Sequence, residues 1–131
     1  MLLAGIAVAG AVGALARYLV DEFVIRRAIR GLPVATLAIN ISGSFVLGVL
    51  TGLVLYHALP ATPKIILGTG FCGAFTTFST MAVDVVTLMK DGHAALGVGY
   101  LLVSVALGLV TCRLGVAAGR LAARSAVRGP A

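Results

Sequence analysis

Residues 68–81 read GTGFCGAFTTFSTM. Glycines and Phe71, Phe75 and Phe78 are interleaved there with Thr76, Thr77, Ser79 and Thr80. In a helix that crosses a membrane, such a cluster has two readings. Each hydroxyl can bond back to a carbonyl of its own helix. Alternatively, the helix is interrupted around Gly73–Thr77, which frees carbonyls on one half and N–H groups on the other. Freed backbone groups are tolerated at membrane depth only where protein buries them or they line a cavity, and there they make ion sites. Asn40, in the string NISGSF, is the only Asn, and the chain has no Gln. Its amide either bonds a neighbouring helix or lines an ion path, where its N–H₂ offers an anion two donors. Tyr100 and Ser104 are four apart and share one helix face. Both are read as packing or, with Asn40 and the 76–80 cluster, as a polar track.

The same inventory argues against catalysis. No histidine sits mid-span beside a carboxylate, and His57 and His93 fall at span ends. Cys72 and Cys112 are far apart in apolar context, as small buried thiols are. The stretch GTGFCG lacks the GK[ST] that completes a phosphate loop. No enzyme is expected. Fixed charge is also missing from mid-span: Arg17 lies near the end of the first span, where it can snorkel, and Asp84 lies nearer the end of the third. A pathway of hydroxyls, one amide and electropositive ring edges suits a small anion that must also leave quickly.

The elements that must position these groups follow from composition. The chain has 131 residues, 60% hydrophobic and 11% charged, with a mean hydropathy of +1.13. Soluble domains carry about 25% charged residues. The expected class is therefore all-α, an integral membrane protein. Charge-free stretches at 1–16, 31–63, 65–83 and 92–112 predict four transmembrane helices at about 2–20, 33–56, 63–89 and 94–118. They form a single domain over 1–131. The third helix is expected to break mid-membrane. DEFVIRRAIRG is read as a small amphipathic interfacial helix, Pro60 and Pro63 as turn signals, Gly92 as a C-cap, and RLAARSAVRGPA as a frayed tail. The first span has no basic stretch ahead of it, unlike a signal peptide.

Net charge is +6, but the basic residues flank apolar runs and form no aromatic-interleaved stripe, so membrane lipid rather than nucleic acid is the expected partner. Gly48–Gly52 and Gly115–Gly119 are small-xxx-small pairs, read first as packing within one subunit. With both termini on one side, Lys64, Arg113, Arg120, Arg124 and Arg128 oppose Arg26, Arg27, Arg30, Lys90 and Arg17, five against five. The bias that orients membrane proteins thus nearly cancels. This balance, and the difficulty of enclosing a pathway with four helices, predicts an antiparallel dual-topology dimer.

Taken together, GAVGALARY (10–18), NISGSF (40–45), GAFTTFSTM (73–81), Tyr100 and Ser104 resemble, in order and over nearly the whole chain, the CrcB/Fluc fluoride channels. The resemblance implies passive fluoride efflux across the cell membrane by an antiparallel homodimer with two pores. It implies a structural, untransported Na⁺ at the dimer centre, held by the carbonyls of Gly73 and Thr76. Asn40 would line the pore, Phe78 would present a ring edge, and Ser79 and Thr80 would form a polar track faced by Tyr100 and Ser104. Arg17 would anchor the end of the first span. Met81 stands where the family has a second pore Phe, so the expectation is continued conduction at an altered rate.

Such a channel needs no energy source. Fluoride enters as neutral HF and ionises inside, and an inside-negative potential drives the anion out by about 2.3 kcal/mol per 100 mV. Alternative readings are a small multidrug-type exporter, which would need a carboxylate deep in the bilayer, a scaffolding subunit, or one subunit of a heterodimeric fluoride channel.

Overall fold

The computed structural model describes residues 1–25, 31–56 and 59–128, and every regular element among them is helical. Helix α1 is Leu2–Ile25 and α2 is Val34–Leu55. The third stretch is composite. Helix α3 (Ala61–Ile65) passes into a π-helical run, Ile66–Cys72, and then into a last α turn, α4 (Gly73–Phe75). Thr76 and Thr77 are extended, and α5 follows at Phe78–Lys90. Helix α6 is Ala94–Arg128. Four stretches are long and apolar enough to cross a membrane: Leu2–Val24, Val34–Leu55, Ala61–Lys90 and Ala94–Ser125. These are the four expected spans with shifted ends.

The shifts have local causes. Helix α1 runs on through Asp21 and Glu22 to Ile25, because no Gly or Pro interrupts it there. Asp21–Ile25 therefore belongs to α1 and not to a separate interfacial helix. Residues 26–30, with Arg26, Arg27 and Arg30, lie outside the described residues, as does His57. The tail expected to fray is helical as far as Arg128. Its Ala, Leu and Arg are strong helix formers, and no proline occurs before Pro130. Gly92 is the left-handed residue just past α5, with φ +83°. Its N–H donates to Met89 O and the next N–H, of His93, donates to Leu88 O at 2.8 Å. This is a Schellman closure, a position that suits glycine. Pro63 falls in the first turn of α3, where a missing N–H costs nothing.

Helices α2 and α6 run parallel, backbone against backbone. A Cβ on Gly48 would strike the carbonyl of Cys112, and one on Gly52 that of Val116. From the other side, a Cβ on Gly115 would strike the carbonyl of Phe45, and one on Gly119 that of Val49. The two small-xxx-small pairs thus pack on each other within one chain. Helix α1 packs in the same way on the π-helical run, with Gly70 against the backbone of Ile6 and Gly13 against that of Phe71. Met81, Val85, Leu88 and Tyr100 form a core cluster between α5 and α6.

Candidate functional site

The groups that could handle an ion gather where the third stretch leaves helical geometry. Thr76 has φ −79°, ψ 157° and Thr77 φ −149°, ψ 112°. The N–H and hydroxyl of Thr76 both donate to Cys72 O, at 2.9 and 2.8 Å. That hydroxyl therefore bonds back to its own helix. Thr77 does something different. Its N–H donates to Asn40 Oδ1 at 2.8 Å, and its carbonyl accepts from Asn40 Nδ2 at 3.0 Å. A side-chain amide from α2 thereby satisfies both backbone groups of an extended residue that no neighbouring strand pairs. The Thr77 hydroxyl caps α5 by accepting from the Thr80 N–H at 3.1 Å. It also donates to Thr80 Oγ1 at 2.9 Å and lies 3.2 Å from Ser79 Oγ.

Two grooves flank this joint. One, of about 390 Å³, is lined by Asn40, Ser44, Thr76, Phe78, Met81 and Ser104, among others. The other, of about 220 Å³, is lined by Arg17, Tyr18, Asp21, Thr36, Thr77 and Thr80, among others. The structure therefore divides the residues expected to share a path. Asn40, Phe78, Met81 and Ser104 meet in the first groove, Arg17 and Thr80 in the second, and Ser79 is beside the Thr77 hydroxyl. Phe78 is 75% exposed, while Met81 is 6% exposed and belongs equally to the core. Phe75 is buried and stacks on Phe71 with ring centroids 5.5 Å apart, facing neither groove. Cys72 is buried and Cys112 half-buried, and both thiols are free.

Tyr100 lies in the core beside Asp84, which in turn neighbours Thr36 and faces Asp21. The oxygens Asp84 Oδ2, Tyr100 Oη and Ser104 Oγ are buried in one cluster with Thr36. Its members lie within reach of one another, Thr36 and Tyr100 of Asp84 and Ser104 of Tyr100, so mutual pairing offsets part of the cost of burying them. In sequence Asp84 reads as a span-end residue, whereas the structure places it in this buried cluster. The signal that could have found it is the expense of any carboxylate within an apolar span. Among the described residues, no group of three or more His, Cys, Asp or Glu could hold a metal ion.

The family model described as CrcB-like protein, Camphor Resistance (CrcB), matches residues 4–116. The chain is 46% identical over 105 residues to the fluoride-specific ion channel FluC 1 of Leifsonia xyli subsp. xyli, covering 79% of this chain and 77% of that one. It is 41% identical over 111 residues to the fluoride-specific ion channel FluC 2 of Mycobacterium tuberculosis, covering 85% of each. It is 49% identical over 88 residues to the fluoride-specific ion channel FluC of Vibrio cholerae, covering 66% of this chain and 70% of that one. The matched span takes in the Asn40–Thr77 joint and both grooves. With four helices apolar enough to cross a bilayer, the protein is a multi-pass protein of the cell membrane and belongs to the CrcB-like family.

Proposed function

We propose that this protein is a fluoride-specific channel that lets the anion leave the cell passively, and that it works as an antiparallel dual-topology homodimer. The observation that carries the reading is the 41–49% identity to chains named fluoride-specific ion channels. The first groove suits the task. Asn40 spends one N–H on Thr77 and keeps the other for an anion. Phe78 offers a ring edge, and Ser104 brings a hydroxyl to the same groove. None of these is a fixed cation, so a small anion would be held and released. Thr80, Ser79 and Tyr100 extend the hydroxyl track, Met81 narrows it from the core side, and Arg17 attracts anions at the mouth of the second groove.

The third helix is broken mid-membrane in this reading, and the joint prepares a Na⁺ site. In an unbroken α-helix the Thr77 N–H would bond Gly73 O and the Thr80 N–H would bond Thr76 O. Here the first donates to Asn40 and the second to the Thr77 hydroxyl. The carbonyls of Gly73 and Thr76 have thus both lost their helical donors, which fits the hard oxygen ligands a Na⁺ takes. Two copies of the chain would supply four such oxygens, and the ion would pin the two broken helices together without moving. The exposed ring of Phe78 and the apolar outer face of α1, with Val8, Val12, Leu15 and Leu19 exposed, are surfaces that a second copy and lipid would cover.

The test is efflux from liposomes containing only this purified chain, loaded with fluoride or with chloride and followed by an ion electrode. Fluoride efflux without chloride efflux is expected. No fluoride efflux from a well-folded sample overturns the homodimer reading, and recovery on adding a related subunit would assign the function to a heterodimer. A C-terminal reporter should appear on both sides of the membrane; its appearance on one side alone overturns dual topology.

A further inference from the structure

Beyond the ion path, the far end of α6 carries a feature of its own. Arg113, Arg120 and Arg124 are seven and four residues apart, so they fall within about 40° of one another around the helix. All three are exposed and border a groove of about 550 Å³, with Val116 and Leu121 among its apolar walls and Tyr56, the residue that closes α2, at its rim. The Arg120 guanidinium sits 5.2 Å above the Tyr56 ring, a cation–π contact that holds it in place. No acidic residue occurs from Gly92 onward, so the helix carries no carboxylate of its own to neutralise them.

Depth along the membrane follows from the seam. Helices α2 and α6 run parallel, with Gly52 against Gly119. The 22 residues of α2 cover about 33 Å, close to the ~30 Å hydrocarbon thickness. Tyr56 therefore lies at the membrane–water boundary, where tyrosine is enriched. Arg120 and Arg124 share that level. Arg113 is about 10 Å deeper and can snorkel outward along the groove.

We propose that this groove binds one anionic phospholipid, its phosphate held by Arg120 and Arg124 with help from Arg113, and its acyl chain lying on Val116 and Leu121. A guanidinium pair recognises phosphate oxygens with two parallel N–H bonds each. A soluble anion would have no use for the apolar wall that continues from the arginines into the membrane.

The protein in detergent, titrated with phosphatidylglycerol or phosphatidylcholine and read by native mass spectrometry, tests the site. Phosphatidylglycerol should bind at a defined stoichiometry and phosphatidylcholine should not. Arg120→Ala with Arg124→Ala should weaken phosphatidylglycerol binding roughly 30-fold, about fivefold for each arginine near an anionic headgroup. Arg120→Lys with Arg124→Lys should retain part of it. Equal binding of the two lipids, or undiminished binding by the double alanine variant, overturns the proposal. So does displacement of the lipid by millimolar inorganic phosphate, which would mark a simple anion site. The comparison of the two lipids uses the native chain and stands whether or not the variants fold.

Discussion

The α2–α6 seam and the Asn40–Thr77 joint solve opposite problems within one chain. The seam is closed by removing side chains. Four glycines let two backbones meet, and among the described residues a single side-chain hydrogen bond joins the helices, from the Thr111 hydroxyl to Ile41 O at 3.3 Å. The joint is opened by leaving helical geometry, and side chains then repair most of what the backbone loses. One Asn amide and one Thr hydroxyl satisfy Thr77 and cap α5, while the carbonyls of Gly73 and Thr76 go without their helical donors. In lipid, where water repairs nothing, shape holds the first region and hydrogen bonding holds the second. They should therefore fail differently.

The largest effect is expected at the seam. Leucine at Gly115 would place its Cβ against the Phe45 carbonyl and 2.9 Å from the Val49 N. Neither contact is a flexible side-chain end, so the helices must separate, at a cost above about 3 kcal/mol. Gly115→Leu should give little monodisperse protein on size-exclusion chromatography. Gly99→Ala, on the same helix with nothing within 4 Å of the added methyl, should behave as the parent. Equal yields and melting temperatures for all three proteins would erase the distinction.

At the joint, Asn40→Ala leaves both the N–H and the carbonyl of Thr77 without a partner. Each unpaired buried group costs about 1–3 kcal/mol, so thermal stability should fall measurably while a folded fraction survives. Fluoride efflux from that fraction should be lost, because the alanine neither holds the joint nor offers an N–H to the groove. Asn40→Asp keeps an acceptor for the Thr77 N–H but loses the donor to its carbonyl and adds a carboxylate within an apolar span, so its stability should fall at least as far as that of Asn40→Ala. Full flux through Asn40→Ala would separate the amide from the ion path.

The two regions also differ in how far the sequence discloses them. Gly48–Gly52 and Gly115–Gly119 are visible as small-residue pairs, but only the parallel register of α2 and α6 reveals that they face each other. The clustering of Thr76, Thr77, Ser79 and Thr80 signals unusual backbone, whereas the partner of Thr77 is 37 residues away and no local pattern points to it. The π-helical run Ile66–Cys72 has no composition of its own, since it differs from an α-helix by one residue in the reach of each hydrogen bond. The continuation of α6 to Arg128 was obscured by its charge, which marks the end of the bilayer and not the end of a helix. The split of the expected path into two grooves depends on which face of α5 meets α2. A lone interruption of unknown geometry leaves that phase undetermined.

A smaller effect should follow from removing the cap of α5. Thr77→Val keeps the β-branched shape and deletes the oxygen that accepts the Thr80 N–H, at a cost of about 1 kcal/mol. It also removes the acceptor that draws this N–H away from Thr76 O, so the helix can extend backward and reclaim that carbonyl. If Na⁺ binds there, Thr77→Val should lower the melting temperature and also weaken the stabilisation gained by exchanging choline for sodium in the buffer. Thr77→Ser should restore both. A cap variant whose sodium response matches the parent would show that the Thr76 carbonyl does not serve the ion.

The smallest change in stability, and the most informative about the groove, is expected at Met81. The side chain is 6% exposed, packs with Val85, Leu88 and Tyr100, and still lines the groove that Asn40 and Phe78 share. Replacing it with Phe changes volume modestly and keeps an apolar contact with the core, so stability should move by about 1 kcal/mol or less. The groove gains a rigid ring with an electropositive edge in place of a flexible thioether. If that edge meets the anion, Met81→Phe should keep fluoride selectivity and change the efflux rate severalfold, while Met81→Leu, which has no ring, should leave the rate near that of the parent. An unchanged rate in Met81→Phe would mean that this position serves the core alone, and that the anion meets Phe78 without an aromatic counterpart on the next turn.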